Sequence, residues 1–425
     1  MKAYQRKRVA SVKEGAEAGN ARQVKNTISD EKHKIQGYFL TRMEGADKDF
    51  HIVSVSAVIN GQQYTLLDSN NDKGEVTPGV IGKHAFKTPD NETYTLYAVA
   101  EKDHFTSLQG VDSLYLALDK APVILHSSKD NELTINAYNI KAFPNYIGTA
   151  LDLNKMNSRI SYMIKSDTLK HADILSFEEA WDKKIRDKLI AGFKKEYPYS
   201  YSPIPRHSYL KPLYSGLLIL SKYPIVKKYF LNYQDHQRLV NADYFSNKGA
   251  AFVRIKKGGR FYNIIATHVQ SGGDKKAIAA RHEEFSLIRK HIINNRDLNI
   301  SSSNPLILVG DLNTDFYEKS DFSILKDALS LDDQWVGNGI NENPKYSNDS
   351  DLNLMISPKE TAKSLIDYII PVSHYLAPSK VTEQVTVLRA LDDPRMYEPS
   401  KNVSLYHYGD IELSDHFMLQ ARFVF

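Results

Sequence analysis

Pro305-Leu306-Ile307-Leu308-Val309-Gly310-Asp311-Leu312-Asn313 is the stretch on which the reading of this chain turns. A short unbroken apolar run behind a proline is the pattern of a strand buried on both faces. This one stops at a carboxylate and an amide, so it delivers Asp311 and Asn313 to the end of a sheet. Other runs finish the same way: 133–137 leads into Tyr138-Asn139, 173–177 into Glu178-Glu179, 216–220 into Ser221-Lys222, and 261–266 into Thr267-His268. Near the C-terminus Ser414-Asp415-His416 opens a last strand, 417–425. Between these runs 277–294 carries a helical period, with Phe285, Ile288, Ile292 and Ile293 near one face, and 180–194 also reads as a helix. Strands alternating with helices from about residue 130 onward indicate a layered α/β domain.

Upstream the texture differs. Val53, Val55, Ala57 and Ile59 alternate along a strand, Asn60-Gly61 supplies the positive-φ pair of a tight hairpin, and 63–67 returns. Tyr94-Leu96-Ala98 and Leu114-Leu116-Leu118 alternate likewise, with Pro78-Gly79, Gly82 and Pro89-Asp90 as punctuation. Residues 35–125 therefore read as a small, sandwich-like all-β domain without a catalytic constellation, an attachment module or a structural cap. Residues 1–34 are charged and aperiodic, a flexible or peripheral basic arm. Ser127-Ser128-Lys129-Asp130-Asn131 marks the boundary, and 130–425 forms the catalytic region.

At 425 residues, 42% hydrophobic and 25% charged, the chain has the composition of an ordinary globular protein of two domains. A net charge of +4 gives no basic face to demand a nucleic-acid partner. No apolar run is long enough for a transmembrane span. The absence of Cys excludes disulfides, thiolate nucleophiles and Cys-bound zinc. No apolar leader segment opens the sequence. The expectation is a secreted protein whose leader is absent here, with a cytoplasmic location left open, as is the oligomeric state.

Hydrolysis of a phosphodiester needs a hard divalent cation on oxygen ligands, a base for the attacking water, and donors for the transition-state charge. Asn139, Glu179, His268, Asp311, Asn313, Asp415 and His416 suit those tasks, and all stand at strand ends. Each has a plainer explanation. Asn139 could serve a turn, Glu178 and Glu179 could complement a helix dipole, Asp311 and Asn313 could form an Asx-turn, and His268 could be a satisfied core histidine. Asp415 and His416 could be an ordinary hydrogen-bonded pair. These explanations weaken together, because compatible residue types recur in a fixed order.

Tyr138-Asn139, Phe177-Glu178-Glu179-Ala180-Trp181-Asp182, Gly310-Asp311-Leu312-Asn313, Ile366-Asp367-Tyr368-Ile369 and Ser414-Asp415-His416 resemble the successive motifs of the endonuclease/exonuclease/phosphatase superfamily, over roughly 130–425. Ser246-Asn247-Lys248-Gly249, Ala266-Thr267-His268-Val269-Gln270-Ser271, Arg281-His282-Glu283-Glu284 and the segment 215–225 resemble its neutral sphingomyelinase branch. The resemblance implies a four-layer α/β sandwich, two packed β-sheets with outer helices. It implies Mg²⁺, with Mn²⁺ or Co²⁺ as substitutes, held by Glu179 and Asn139, with Asp415 contributing directly or through water. It further implies His416 as general base, Asp367 fixing its tautomer, and Asp311 orienting water or phosphoryl group. Asn313 would donate to a phosphoryl oxygen and His268 stabilise developing charge or assist the leaving group, while Lys248 could contact phosphate or be structural. The substrate implied is sphingomyelin or a related choline phospholipid at a membrane surface, with peripheral membrane contact. The alternative is another phosphodiesterase or phosphatase of the superfamily, a nuclease or an inositol-phosphate phosphatase. A headgroup cage of Tyr197, Tyr199, Tyr201, Tyr209 and Tyr214 is expected on cation–π grounds, against chance clustering among 26 Tyr. One departure is the segment 388–413, more polar than the membrane-inserting hairpin of bacterial sphingomyelinases.

Overall fold

The computed structural model describes residues 15–18, 21–30, 35–46, 49–68, 79–87, 93–100, 114–120, 124–144, 153–204, 213–336, 344–350, 353, 355–356, 361–390 and 412–425. Two compact units are distinguished, the larger formed by Val123–Leu388 and Glu412–Phe425.

In the N-terminal unit five strands pair in sequence order as an antiparallel meander: Gly15–Ala18, Ala21–Asp30, Ile35–Ala46, Asp49–Ile59 and Gln62–Asp68. A second sheet holds Gly79–Lys87, Thr93–Ala100 and Leu114–Lys120. Asn60 and Gly61 both have positive φ, 53° and 82°, so the expected hairpin forms where its turn chemistry demands. Val55, Ala57, Ile59, Tyr94 and Leu96 are buried as their alternation requires. Part of the stretch read as an arm is instead the ten-residue strand Ala21–Asp30, whose partner is Ile35–Ala46. The charges that suggested an arm are compatible with a strand because only one face of such a ribbon needs to be apolar.

The larger unit contains two sheets. One is six-stranded in the order Tyr199–Tyr201, Leu218–Ser221, Ile174–Ala180, Glu132–Ala142, Met418–Val424, Lys380–Thr386. The other is five-stranded: Ile225–Asn232, Gly249–Lys257, Arg260–His268, Leu306–Asp311, Asp367–Pro371. Their facing side chains form one core, with Leu133, Ile135, Ala137 and Ile174 from the first and Ile264, Ala266, Ile307, Val309 and Ile369 from the second. The opposite face of the five-stranded sheet packs Leu306, Leu308 and Ile265 under the helices Lys275–Ile288 and Lys319–Leu329. On the far side Leu153–Lys165 and Lys183–Gly192 cover the six-stranded sheet, where Phe177 meets Phe193. The layering is helix, sheet, sheet, helix, as the resemblance implied.

Two boundaries differ from the sequence reading. The helix expected over 180–194 is Lys183–Gly192, capped by Asp182, whose Oδ1 accepts from Ile185 N at 2.9 Å. Glu178 and Glu179 thus lie on the preceding strand, and the helix-dipole explanation for them falls. The helix over 277–294 begins at Lys275 and continues past Ile288 as a π-helical turn, Arg289–Ile293.

The strand Leu306–Asp311 requires a glycine. Gly310 has φ of 127°, and a Cβ there would lie 2.0 Å from the carbonyl oxygen of Thr267 and 3.3 Å from Glu178 Oε1. Gly310→Ala is expected to cost at least about 2 kcal/mol in urea unfolding. Gly259→Ala, with nothing within 4 Å of the new methyl, should stay within about 0.5 kcal/mol of the parent. Equal stability of the two variants would contradict this packing.

Candidate active site

The alternation that builds the inter-sheet core also builds the site. On the inward face of each strand, the residue two positions beyond the last apolar one is polar. Ala137 is followed by Asn139, Ala266 by His268, Val309 by Asp311, and Asp367 precedes Ile369. Register completes the row: His268 pairs with Asp311, Asp311 with Asp367, and, in the other sheet, Asn139 with Glu178. All five are buried. Asn139 joins the sheets, donating from Nδ2 to Asp311 Oδ2 at 3.0 Å and to Glu179 Oε1 at 3.2 Å.

Glu179 reaches this cluster through an irregularity. The pairing of 174–180 with 132–142 shifts between Glu178 and Ala180, with Glu179 at φ 57° and Lys141 at φ 46°. A left-handed conformation at a glutamate is costly, and it re-aims a side chain that ordinary alternation would send toward the helices. Glu178 keeps the inward position but accepts a bond from Ser176 Oγ at 2.7 Å, and its Oε2 has no partner among the described residues. Burial pushes its carboxyl up to about 8.

Asp311 satisfies both explanations offered for it. Oδ1 accepts from Asn313 N at 2.9 Å, an Asx-turn, with Asn313 at φ 45°, while Oδ2 faces Asn139 and His268. Asn313 Nδ2 donates to Val269 O at 3.3 Å. Burial, then the nearby Asp367 carboxylate, raises the Asp311 carboxyl to about 7.

His416 sits beside Asn139 because Met418–Val424 pairs with Glu132–Ala142. Its Nδ1 bonds Asp367 Oδ2 at 2.8 Å, and its Nε2 lies 3.9 Å from Asp311 Oδ2. A carboxylate accepts only, so Nδ1 carries the proton and Nε2 faces the site. Burial opposes charge on this ring, but Asp367, with Asp311 and Asp415, holds its pKa well above the ordinary histidine value.

His268 is neither free nor a simple core histidine. Lys248 Nζ uses its three protons on Val269 O at 2.9 Å, Asp243 Oδ2 at 3.0 Å and His268 Nε2 at 3.0 Å. An ammonium only donates, so His268 Nε2 accepts and the ring proton belongs on Nδ1, which is buried without a partner among the described residues. Burial, then Lys248, pushes the imidazole pKa well below its usual value. Positive charge on this side of the site therefore comes from buried Lys248. Sequence reasoning left Lys248 open between phosphate contact and structure. Its signal was the lysine immediately before Gly249, which starts a strand paired with that of His268.

Asp415 stands at the edge of the carboxylate cluster: its Oδ2 pairs with Lys141 Nζ at 2.6 Å, and the Lys141 charge outweighs burial to bring its pKa down to about 2, while its own charge still acts on Glu179 and His416. Among the described residues, Tyr197 does not join the expected tyrosine cage. Tyr197 is buried with its hydroxyl on Leu169 O, Tyr214 lies under Arg186, and Tyr201 lies under Lys228. Tyr209 and nearly all of 388–413 lie outside the described residues.

The donor set fits a hard divalent cation. Ligand atoms of Glu179, His268 and Asp311 lie within 4.8 Å of one another, and Asp311, Asp367 and His416 form a second such group. Burial, then Asp415, raises the Glu179 carboxyl. Carboxylates that burial discourages from ionising are what a bound cation would stabilise.

Residues 133–416 match the Endonuclease/Exonuclease/phosphatase family. "Sphingomyelinase C 2" of Leptospira interrogans (serogroup Icterohaemorrhagiae, serovar Lai) is 31% identical over 202 residues, 44% of this chain and 31% of that protein. The chain thus aligns with about a third of that relative's length. The crystal structure of SmcL covers 69% of this chain and 99% of its own, at 23% identity and a TM-score of 0.58. A beta toxin structure from Staphylococcus aureus with bound magnesium ions covers 68% and 99%, at 22% identity and a TM-score of 0.57. Both share the fold described above.

The His416–Asp367 pair makes stability depend on pH. A raised folded-state pKa contributes stability fully present below about pH 6.5, lost as pH rises through the folded value. Asp367→Asn, unfolded in urea with EDTA present, should lose about 2–4 kcal/mol at pH 5.5 and distinctly less at pH 9. A loss independent of pH would refute the pairing.

Proposed function

The chain belongs to the endonuclease/exonuclease/phosphatase family, and from that premise we propose that it is a divalent-metal-dependent phosphodiesterase hydrolysing sphingomyelin to ceramide and phosphocholine. The observation that carries this reading is the convergence of the His416–Asp367 pair and Glu179 on one carboxylate, Asp311, which also holds Asn139. Support for the lipid substrate comes from the Leptospira relative's name, and support for Mg²⁺ from the magnesium of the beta toxin structure.

Each residue's task follows from its chemistry. Glu179 and Asp311, with Asn139 beside them, would hold Mg²⁺, and Mn²⁺ or Co²⁺ accept similar ligands. When bound, the ion supplies charge to the non-bridging phosphoryl oxygens. His416 would take a proton from water at Nε2 once a bound cation offsets the carboxylates that raise its pKa, while Asp367 keeps Nδ1 protonated and steadies the resulting imidazolium. Asn313 Nδ2 would exchange Val269 O for a phosphoryl oxygen. Lys248, through His268, holds positive charge at the edge of the site as negative charge develops there. Water attack on phosphorus breaks the bond to the ceramide oxygen, which leaves as an alkoxide and takes up a proton.

The purified chain should release phosphocholine from sphingomyelin with Mg²⁺ and not with EDTA. Nicking of plasmid DNA, or phosphate release from inositol phosphates, without phosphocholine release would instead assign the alternative chemistry of the family. His416→Ala should lower kcat about a hundredfold or more with the fold retained, and near-parent turnover would remove it from the mechanism. Glu179→Gln should raise the Mg²⁺ concentration needed for half-maximal rate, and an unchanged metal titration would show that Glu179 is no ligand.

A further inference from the structure

Two large apolar side chains stand in solvent beside this site: Ile204, 67% exposed, and Phe245, 52% exposed. Both are anchored to one short segment. The Phe245 carbonyl, at the end of the turn Asn241–Phe245, accepts from Leu213 N at 3.3 Å. Ser215 Oγ donates at 2.9 Å to the carbonyl of Pro203, the neighbour of Ile204. Leu213 and Ser215 are two residues apart, so the backbones that carry the exposed pair are tied to the same short segment. The segment adjoins the catalytic cluster. Gly216 O accepts from Ala180 N at 2.9 Å, next to Glu179, and Tyr214 O accepts from Asn247 N at 3.2 Å, next to Lys248. Tyr244 meets Phe245 edge to face, centroids 5.4 Å apart, and the Arg238 guanidinium lies 4.8 Å above the Tyr244 ring.

Folding gains nothing from an Ile and a Phe held in water. Apolar tips beside a tyrosine and an arginine are, however, the chemistry of a lipid–water boundary. The tips enter the acyl region while phenol and guanidinium remain among headgroups. A stable protein interface needs a wider apolar area than two tips. We propose that Ile204, Tyr244 and Phe245 form the surface on which this unit seats on a phospholipid bilayer, setting the site mouth against the headgroups. The inference rests on the lipid-substrate reading. An enzyme drawing its substrate from a membrane must approach the bilayer, and no helix among the described residues is long and apolar enough to cross one.

The test compares the full chain with Ile204→Ser, Phe245→Ser and the double variant. Sedimentation with sphingomyelin vesicles is read alongside phosphocholine release from those vesicles and from a monomeric, water-soluble phosphocholine diester. Each substitution should weaken vesicle binding about tenfold and the pair about a hundredfold. Vesicle hydrolysis should fall in step, and turnover of the soluble diester should not change. Phe245→Trp should bind vesicles like the parent. Unchanged sedimentation of the double variant overturns the proposal. So does an equal loss on both substrates, which would assign the residues to the site itself. Self-association of the parent that the double variant abolishes, with vesicle binding intact, would give the patch to a second copy. A parent that hydrolyses neither substrate sinks the proposed function, while sedimentation still decides the docking surface.

Discussion

The bond from Asn139 to Asp311 is the constraint on which the rest of the larger unit depends, because it is where two separately hydrogen-bonded sheets are tied at their polar ends. Below it the gap between sheets is filled by Ala137, Ala266, Val309 and Ile369. At the bond the same inward positions turn polar, and Glu178, His268 and Asp367 lie within this one layer. Strand period, register and catalysis are thus one geometric fact. A register slip of a single residue would send these polar side chains to the helix-covered faces and the apolar ones out of the core.

Burying so many carboxylates is unfavourable, and the surrounding residues show how the cost is contained. Lys141 takes Asp415, His416 takes Asp367, and Lys248 takes Asp243 while touching His268. Among the described residues Glu178, Glu179 and Asp311 have no full cationic partner of their own, and burial raises the pKa of all three. Buried carboxylates held this way are the environment that a bound divalent cation would stabilise. The left-handed backbone at Glu179 and Asn313 belongs to the same account, since strain is kept where aiming a side chain is worth more than local stability.

Much of this was legible in the sequence, and the failures have physical causes. Apolar runs that stop at Asn139, Glu179, His268 and Asp311 announced the strand ends, and Asn60-Gly61 announced its hairpin. Asp415 was named a metal contributor through the family resemblance, and its pairing with Lys141 was not legible because Lys141 is distant in the chain and carries no motif. The tyrosines suggested a cage because clustering in sequence does not report burial, and Tyr197 turned inward. Glu178 and Glu179 could not be told apart by spacing, because the irregularity that separates their roles arises from pairing with a remote strand.

The most direct measurement of the central claim is anomalous diffraction from crystals soaked in Mn²⁺. The account predicts a peak bonded at about 2.0–2.3 Å to a Glu179 carboxylate oxygen, in the space shared with Asn139 and Asp311. A fully occupied Mn²⁺ bound elsewhere, with the Glu179 and Asp311 carboxylates bare, would contradict it.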